Sequence, residues 1–167
     1  MSKVSKCLLV AAIAGLASAS ACAQSTFMNV PGIPGESVNR NYEGWIEVLT
    51  LSQSYSTSGR HGDHCSLSVT KKLDRSGPAI WAAVATGQNF ASVTIDLTVP
   101  GLGANAWYYR IQFSNVKFSA IATSADSANP AHEKVSLSAA HMTLTYRPQL
   151  VTGGFGTPVT TTVSCGR

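Results

Sequence analysis

Val30-Pro31-Gly32-Ile33-Pro34-Gly35-Glu36-Ser37, with Gly44-Trp45-Ile46-Glu47-Val48-Leu49 starting seven residues after it, is the stretch from which the fold is read. Proline presets φ and glycine frees it, so the first segment reverses the backbone, and the second is a half-buried strand fed by that turn. Further along, Val93-Thr94-Ile95-Asp96-Leu97-Thr98-Val99 places an apolar side chain on every second position. That period predicts a strand with one buried and one wet face, ended by Pro100-Gly101. From Trp107 to Ala122 the apolar residues sit on odd positions at Tyr109, Ile111 and Phe113 but on even ones at Val116, Phe118 and Ala120. A change of phase inside one strand predicts a bulge or bend near Ser114-Asn115. A similar change separates Val135 and Leu137 from Met142, Leu144 and Tyr146, somewhere in Ser138 to His141. Long strands that bend in this way are expected of a closed or nearly closed barrel.

One helix is predicted between two of these strands. Ser76 is placed to cap it, Pro78 sits in the first turn, Ile80, Trp81 and Val84 form an apolar stripe, and Gly87 supplies a left-handed stop. Thr57 to Asp63, Thr123 to His132 and Thr152 to Pro158 are rich in Ser, Gly, Asn, Asp and Pro and read as loops.

The first 23 residues read as a secretory signal peptide: Lys3 and Lys6, an apolar run from Cys7 to Ala17, then small residues ending in Ala21-Cys22-Ala23. The run is shorter than the ~20 residues a stable transmembrane helix needs. Cleavage there releases a single domain, residues 24–167, starting at Gln24; lipidation at Cys22 is the lesser alternative, because Ala occupies the position three before the cysteine. Two of the twelve Lys/Arg leave with the leader and all eight Asp/Glu stay, so the net charge falls from +4 to +2. That is too little to argue for nucleic acid. Charged residues are 12% of the chain, against about 25% in an average globular protein, and a surface so poor in charge suits contact between subunits. Only Cys65 and Cys165 remain in the mature chain. In an oxidising compartment they form a disulfide, the alternative being two separate buried thiols.

In order along the chain, the opening turn and strand, Thr70-Lys71-Lys72-Leu73-Asp74-Arg75-Ser76-Gly77-Pro78, Ala85-Thr86-Gly87-Gln88, Glu133-Lys134-Val135-Ser136-Leu137 and Leu144-Thr145-Tyr146-Arg147-Pro148-Gln149 resemble the haemolysin-coregulated protein (Hcp) family, the ring subunits of the type VI secretion tube. The residues that carry the resemblance at its start are Gly32, Pro34, Gly35, Glu36, Ser37, Gly44, Trp45 and Glu47. The resemblance implies a mainly β fold, a barrel of two packed antiparallel sheets with one flanking short helix. It also implies head-to-tail assembly into hexameric rings with other copies of the chain, partnership with secretion-system components or toxin cargo, no catalysis and no cofactor. The leader departs from the family, whose tube subunits polymerise in the cytoplasm. It points to a secreted or periplasmic relative that keeps the fold and the ring. Two alternatives stay open: a tube or effector-carrier subunit with a misassigned start, Met28 lying close to where family members begin, and a monomeric secreted binding module or enzyme on the same barrel.

Other chemistry is weakly signalled. Arg60-His61-Gly62-Asp63-His64-Cys65 gathers potential metal ligands without a standard zinc spacing, and reads better as a polar loop leading into the strand that carries a disulfide cysteine. His132 and His141 with Asp96 or Asp126 and a serine lack a Gly-x-Ser-x-Gly elbow, and His141 reads as an exposed strand residue. Gly101-Leu102-Gly103 and Gly153-Gly154-Phe155-Gly156 lie outside any strand-to-helix junction and read as turns rather than phosphate loops. Trp45, Trp81 and Trp107 read as core or interface anchors ahead of a sugar-binding face. No metal, catalytic or cofactor residue is assigned.

Overall fold

The structure, a computed structural model, describes residues 24–58, 62–99, 107–128 and 130–166. The leader with Cys22, Arg60 and His61 of the polar loop, and Pro100 with the glycines at 101 and 103 lie outside the described residues. The elements in chain order are β1 (Ser25–Asn29), β2 (Ile46–Ser58), β3 (Gly62–Lys72), α1 (Gly77–Thr86), β4 (Asn89–Thr98), β5 (Trp107–Ser124), β6 (His132–Tyr146) and β7 (Val159–Ser164).

All seven strands join one antiparallel sheet in the order β3-β2-β1-β4-β5-β6-β7, and a further pairing of β3 with β6 closes it into a barrel. The two expected layers are opposite walls of this one sheet. Inward side chains from every wall, among them Met28, Ile46, Val69, Val93, Ile95, Ile111, Phe113, Val116 and Val135, form a single buried core.

The changes of phase fall where the sequence places them. On β5, burial passes from Ile111 and Phe113 to Val116 and Phe118 across Asn115, which sits at φ 54°, a left-handed conformation that bends the strand. Both neighbours step at the same level, β4 between Phe90 and Val93 and β6 between Leu137 and Met142. The register through this level is continuous, Phe90↔Val116↔Ala139 and Ser92↔Ser114↔His141, so three strands bend as a unit. A second slip, between Phe118 and Ala120, was not expected. It turns Ala120 outward and buries Ile121.

Three expectations are corrected. The strands β2 and β3 run on to Ser58 and start at Gly62, so most of the loop predicted over Thr57 to Asp63 is a continued ladder, with Thr57↔Asp63 in register. Ser76 makes no side-chain cap; its hydroxyl bonds Asp74 Oδ1 at 2.5 Å instead. The buried stripe of α1 is Ile80 and Ala83 with Val84 partly covered, whereas Trp81, 100° further round, is 47% exposed. Gly87 ends the helix in the left-handed conformation as predicted.

Candidate functional site

The turn that opened the sequence reading folds into a clasp across the outside of the barrel. Gly32 reverses the chain at φ 85°. Gly35 N–H donates to the Gly44 carbonyl at 2.8 Å, Ser37 N–H to Trp45 at 3.0 Å and Gly44 N–H to Ser37 at 3.0 Å, so the two ends of the clasp pair with each other. A Cβ on Gly35 would stand 2.6 Å from Ile46 Cα, which only glycine avoids. Glu36 accepts the Arg75 N–H at 3.1 Å, and Glu47 pairs with Lys72 at 2.5 Å, tying the clasp to the start of the helical segment. Pro34 stays on the exposed side.

Beneath the clasp, Tyr42 stacks on Phe27 with ring centroids 4.4 Å apart and meets Trp45 edge-on at 5.0 Å. Its hydroxyl donates to Asp96 Oδ2 at 3.2 Å, while Arg110 Nε and Nη2 grip both oxygens of Asp96 at 2.6 Å. Asp96, on the face of β4 expected to be wet, is therefore fully buried, with Tyr42 of the clasp over it, and Thr98 is buried where its hydroxyl donates to the Ser25 carbonyl at 3.0 Å. Burial first, and then the charge and hydrogen bond of Asp96, push the Tyr42 phenol well above its ordinary range. The bidentate bond to Asp96 raises the Arg110 guanidinium against the opposing effect of burial. Arg110 and Arg147 both stack on Trp107, at 4.3 and 4.4 Å, and Arg147 also lies 4.2 Å from Phe155.

At the other end of the barrel a second charged group is buried. Lys71 and Glu133 are register partners on β3 and β6, with their charged atoms 2.6 Å apart; Asp74 Oδ1 lies 2.7 Å from the same ammonium and the Lys72 carbonyl at 3.1 Å. The lysine donates hydrogen bonds to Asp74 and to the Lys72 carbonyl, and meets Glu133 as an ion pair. Glu133 lies directly under the start of α1, where a Cβ on Gly77 would stand 2.8 Å from both carboxylate oxygens. None of Lys71, Asp74 and Glu133 was singled out from sequence as a buried ion. Lys71 and Glu133 carried a usable signal: each continues the inward period, Leu67, Val69, Lys71 on one strand and Glu133, Val135, Leu137 on its neighbour.

One edge of β6 is shared between two partners. Residues 132–137 pair with β3, and residues 141–146 pair with β7. Where the partners part, Cys65 on β3 and Cys165 just past β7 are joined, with Cα atoms 5.1 Å apart, 100 positions apart in sequence and both side chains buried. The Cys165 N–H donates to the Ala140 carbonyl at 2.8 Å, so the fork is closed by backbone as well. A groove of about 490 Å³ opens beside it, lined by His64, Asn89, Lys117 and Ser138 among others. No strand pairs with the outer edge of β7 among the described residues.

The other sequence candidates do not converge. Cys65 is committed to Cys165, and no group of three His, Cys, Asp or Glu gathers among the described residues. His141 is exposed, with Ser164 Oγ at 3.5 Å, while Asp96 is held by Arg110 and Tyr42 on β4. Gly153 and Gly154, at φ 86° and 81°, turn a hairpin between β6 and β7. Its tip is closed by Gly153 N–H to Leu150 and Leu150 N–H to Gly154, at 3.0 and 3.2 Å. No helix among the described residues is long and apolar enough to cross a membrane.

The described residues form a closed antiparallel barrel with a clasp across its outside and a single end helix. The chain matches the family described as "Type VI secretion system effector, Hcp" over residues 27–146, and it belongs to that family. Members are structural tube proteins of the type VI secretion system that assemble with copies of themselves into rings. The fold is similar to that of a solved type six secretion system protein, at 23% identity over 82% of this chain and 92% of that one, with a TM-score of 0.73. It is also similar to Hcp1 from Salmonella typhimurium, at 23% identity over 85% and 94% with a TM-score of 0.69. The secreted protein Hcp3 from Pseudomonas aeruginosa shares 17% identity over 87% and 100%, with a TM-score of 0.63. No curated protein matches the chain.

Proposed function

We propose that this chain is a non-catalytic, ring-forming Hcp subunit exported by its own signal peptide, with residues 24–167 as a single barrel domain that works as a hexamer outside the cytoplasm. The observation that carries the reading is the Cys65–Cys165 junction at the fork of the barrel wall, since a buried bridge across 100 residues belongs to an oxidising compartment. The outer edge of β7 supports assembly. Val159–Ser164 contains no charge and no proline, the devices that keep a lone edge from pairing with another chain. The clasp residues Gly32, Pro34, Gly35, Glu36, Ser37, Gly44, Trp45 and Glu47 have a structural task in this reading: they roof the buried ion pair and leave the outer walls free for neighbours. Other secretion components or toxin cargo are the partners this assembly would serve.

Intact mass spectrometry of protein recovered from separate cell fractions, with size-exclusion chromatography and light scattering, tests the reading. A species outside the cytoplasm that starts at Gln24, lacks two hydrogens and has the mass of a hexamer supports it. A cytoplasmic ring that is unprocessed, or starts at Met28, overturns export. A processed monomer overturns the ring.

A further inference from the structure

The outer face of α1 is unusual for a surface helix. Such helices place charged residues on the side away from the core, yet Gly77–Thr86 contains none. Pro78, Ala79, Trp81, Ala82 and Ala85 all face outward. Trp81 is 47% exposed. A large indole on a flat floor of alanines has the composition of a binding hot spot.

A second uncharged apolar patch lies at the opposite end of the molecule. The hairpin joining β6 to β7 carries Leu150 and Val151 at its tip, 48% and 106% exposed. The tip is held in shape by its two backbone hydrogen bonds, the Gln149↔Phe155 bridge and a Gly156 N–H bond to the Pro148 carbonyl at 2.8 Å. A projection already rigid loses little conformational freedom on docking. Gly77 lies against Glu133 near the start of β6, and the hairpin follows Tyr146 at its end. At ~3.3 Å per residue the two patches are on the order of 40 Å apart along that strand. A ring built by rotation needs this arrangement, two different surfaces at opposite sides of one body, each meeting the other on the next copy.

We propose that the Leu150–Val151 tip of one copy docks on the Trp81 face of α1 in the next, forming a head-to-tail joint of the assembly. The inference rests on the ring reading above. Neither patch offers charge, so the joint is held by apolar burial and forms independently of salt, unlike one steered by ion pairs.

The test uses the exported, disulfide-closed chain and compares Trp81→Asp, Val151→Asp and wild type by size-exclusion with light scattering, with circular dichroism as a check of folding. Each substitution lies on an exposed side chain and is expected to raise the subunit dissociation constant at least about tenfold; Trp81→Gln and Val151→Ser serve if an aspartate variant fails to fold. In parallel, Trp81→Cys and Val151→Cys are mixed and oxidised. The expected product is a dimer whose linked peptides join positions 81 and 151. Folded variants that assemble like wild type, or a mixture yielding no 81–151 link although wild type forms rings, overturn this joint and leave the ring standing. A wild type that stays monomeric overturns the ring and the joint together.

Discussion

Removing the positive charge at Lys71 should cost more than removing any surface charge of this protein. The ammonium is fully buried and is met by Glu133 at 2.6 Å, itself 2% exposed, and by Asp74 at 2.7 Å. Lys71→Met keeps the side-chain length but leaves Glu133 as an uncompensated charge under α1. Breaking a buried pair in this way costs about 3–5 kcal/mol, a large part of the ~5–15 kcal/mol that holds a domain together. At roughly 2–4 °C per kcal/mol for a domain of this size, the melting temperature should fall by roughly 6–20 °C. The double variant Lys71→Met/Glu133→Met removes both charges while keeping volume. It should recover at least half of the loss, because the penalty comes from the stranded carboxylate rather than from the missing attraction. Asp74 retains its bonds from the Ser76 N–H and hydroxyl in both variants. Urea unfolding of the three proteins is the assay. A loss below about 1 kcal/mol in Lys71→Met, or a double variant no more stable than the single, would refute the reasoning.

Replacing Cys65 and Cys165 by serine should lower stability by about 4–5 kcal/mol on the chain-entropy account of a loop of 100 residues, read as a shift in urea midpoint; an unchanged midpoint contradicts it. Gly35→Ala should cost about 3 kcal/mol, because the new methyl meets backbone at Ile46 that has nowhere to move; calorimetry showing an unaltered melting temperature would tell against the clasp geometry. The neutral phenol of Tyr42 is favoured by folding, so its contribution is complete below a pH of about 10 and is lost as pH climbs past that value. Unfolding free energy should therefore fall more steeply above pH 10 in wild type than in Tyr42→Phe, and equal slopes would remove Tyr42 as the cause.

How much of this was legible depended on whether a residue's surroundings lie close to it in sequence. Turn chemistry and strand period are local, so the opening turn, the bends at Asn115 and in Ser138 to His141, and a closed or nearly closed barrel could be read directly. Asp96 could not be read, because its burial comes from Tyr42, 54 residues away, folding over an otherwise outward position. Trp81 reads as part of one apolar stripe with Ile80 and Val84, although its angle on the helix separates it from Ile80 and leaves it exposed. The strand β7, Val159-Thr160-Thr161-Thr162-Val163-Ser164, has too few apolar residues to show a period. The fork at β6 depends on two partners sharing one edge, a property of topology that no single segment encodes.

That fork also determines how the molecule bears load. An edge strand joined only by its ladder to β6 would peel from its free end, one hydrogen-bonded rung at a time, and such edges open at low cost. With Cys165, the residue after the end of β7, tied to Cys65, a pull applied beyond Cys165 is carried past β7 into β3. There it is shared between the ladders to β2 and β6, which resist together. The covalent stop turns the weakest seam of the wall into an anchorage, so that tension at the tail loads the whole barrel at once.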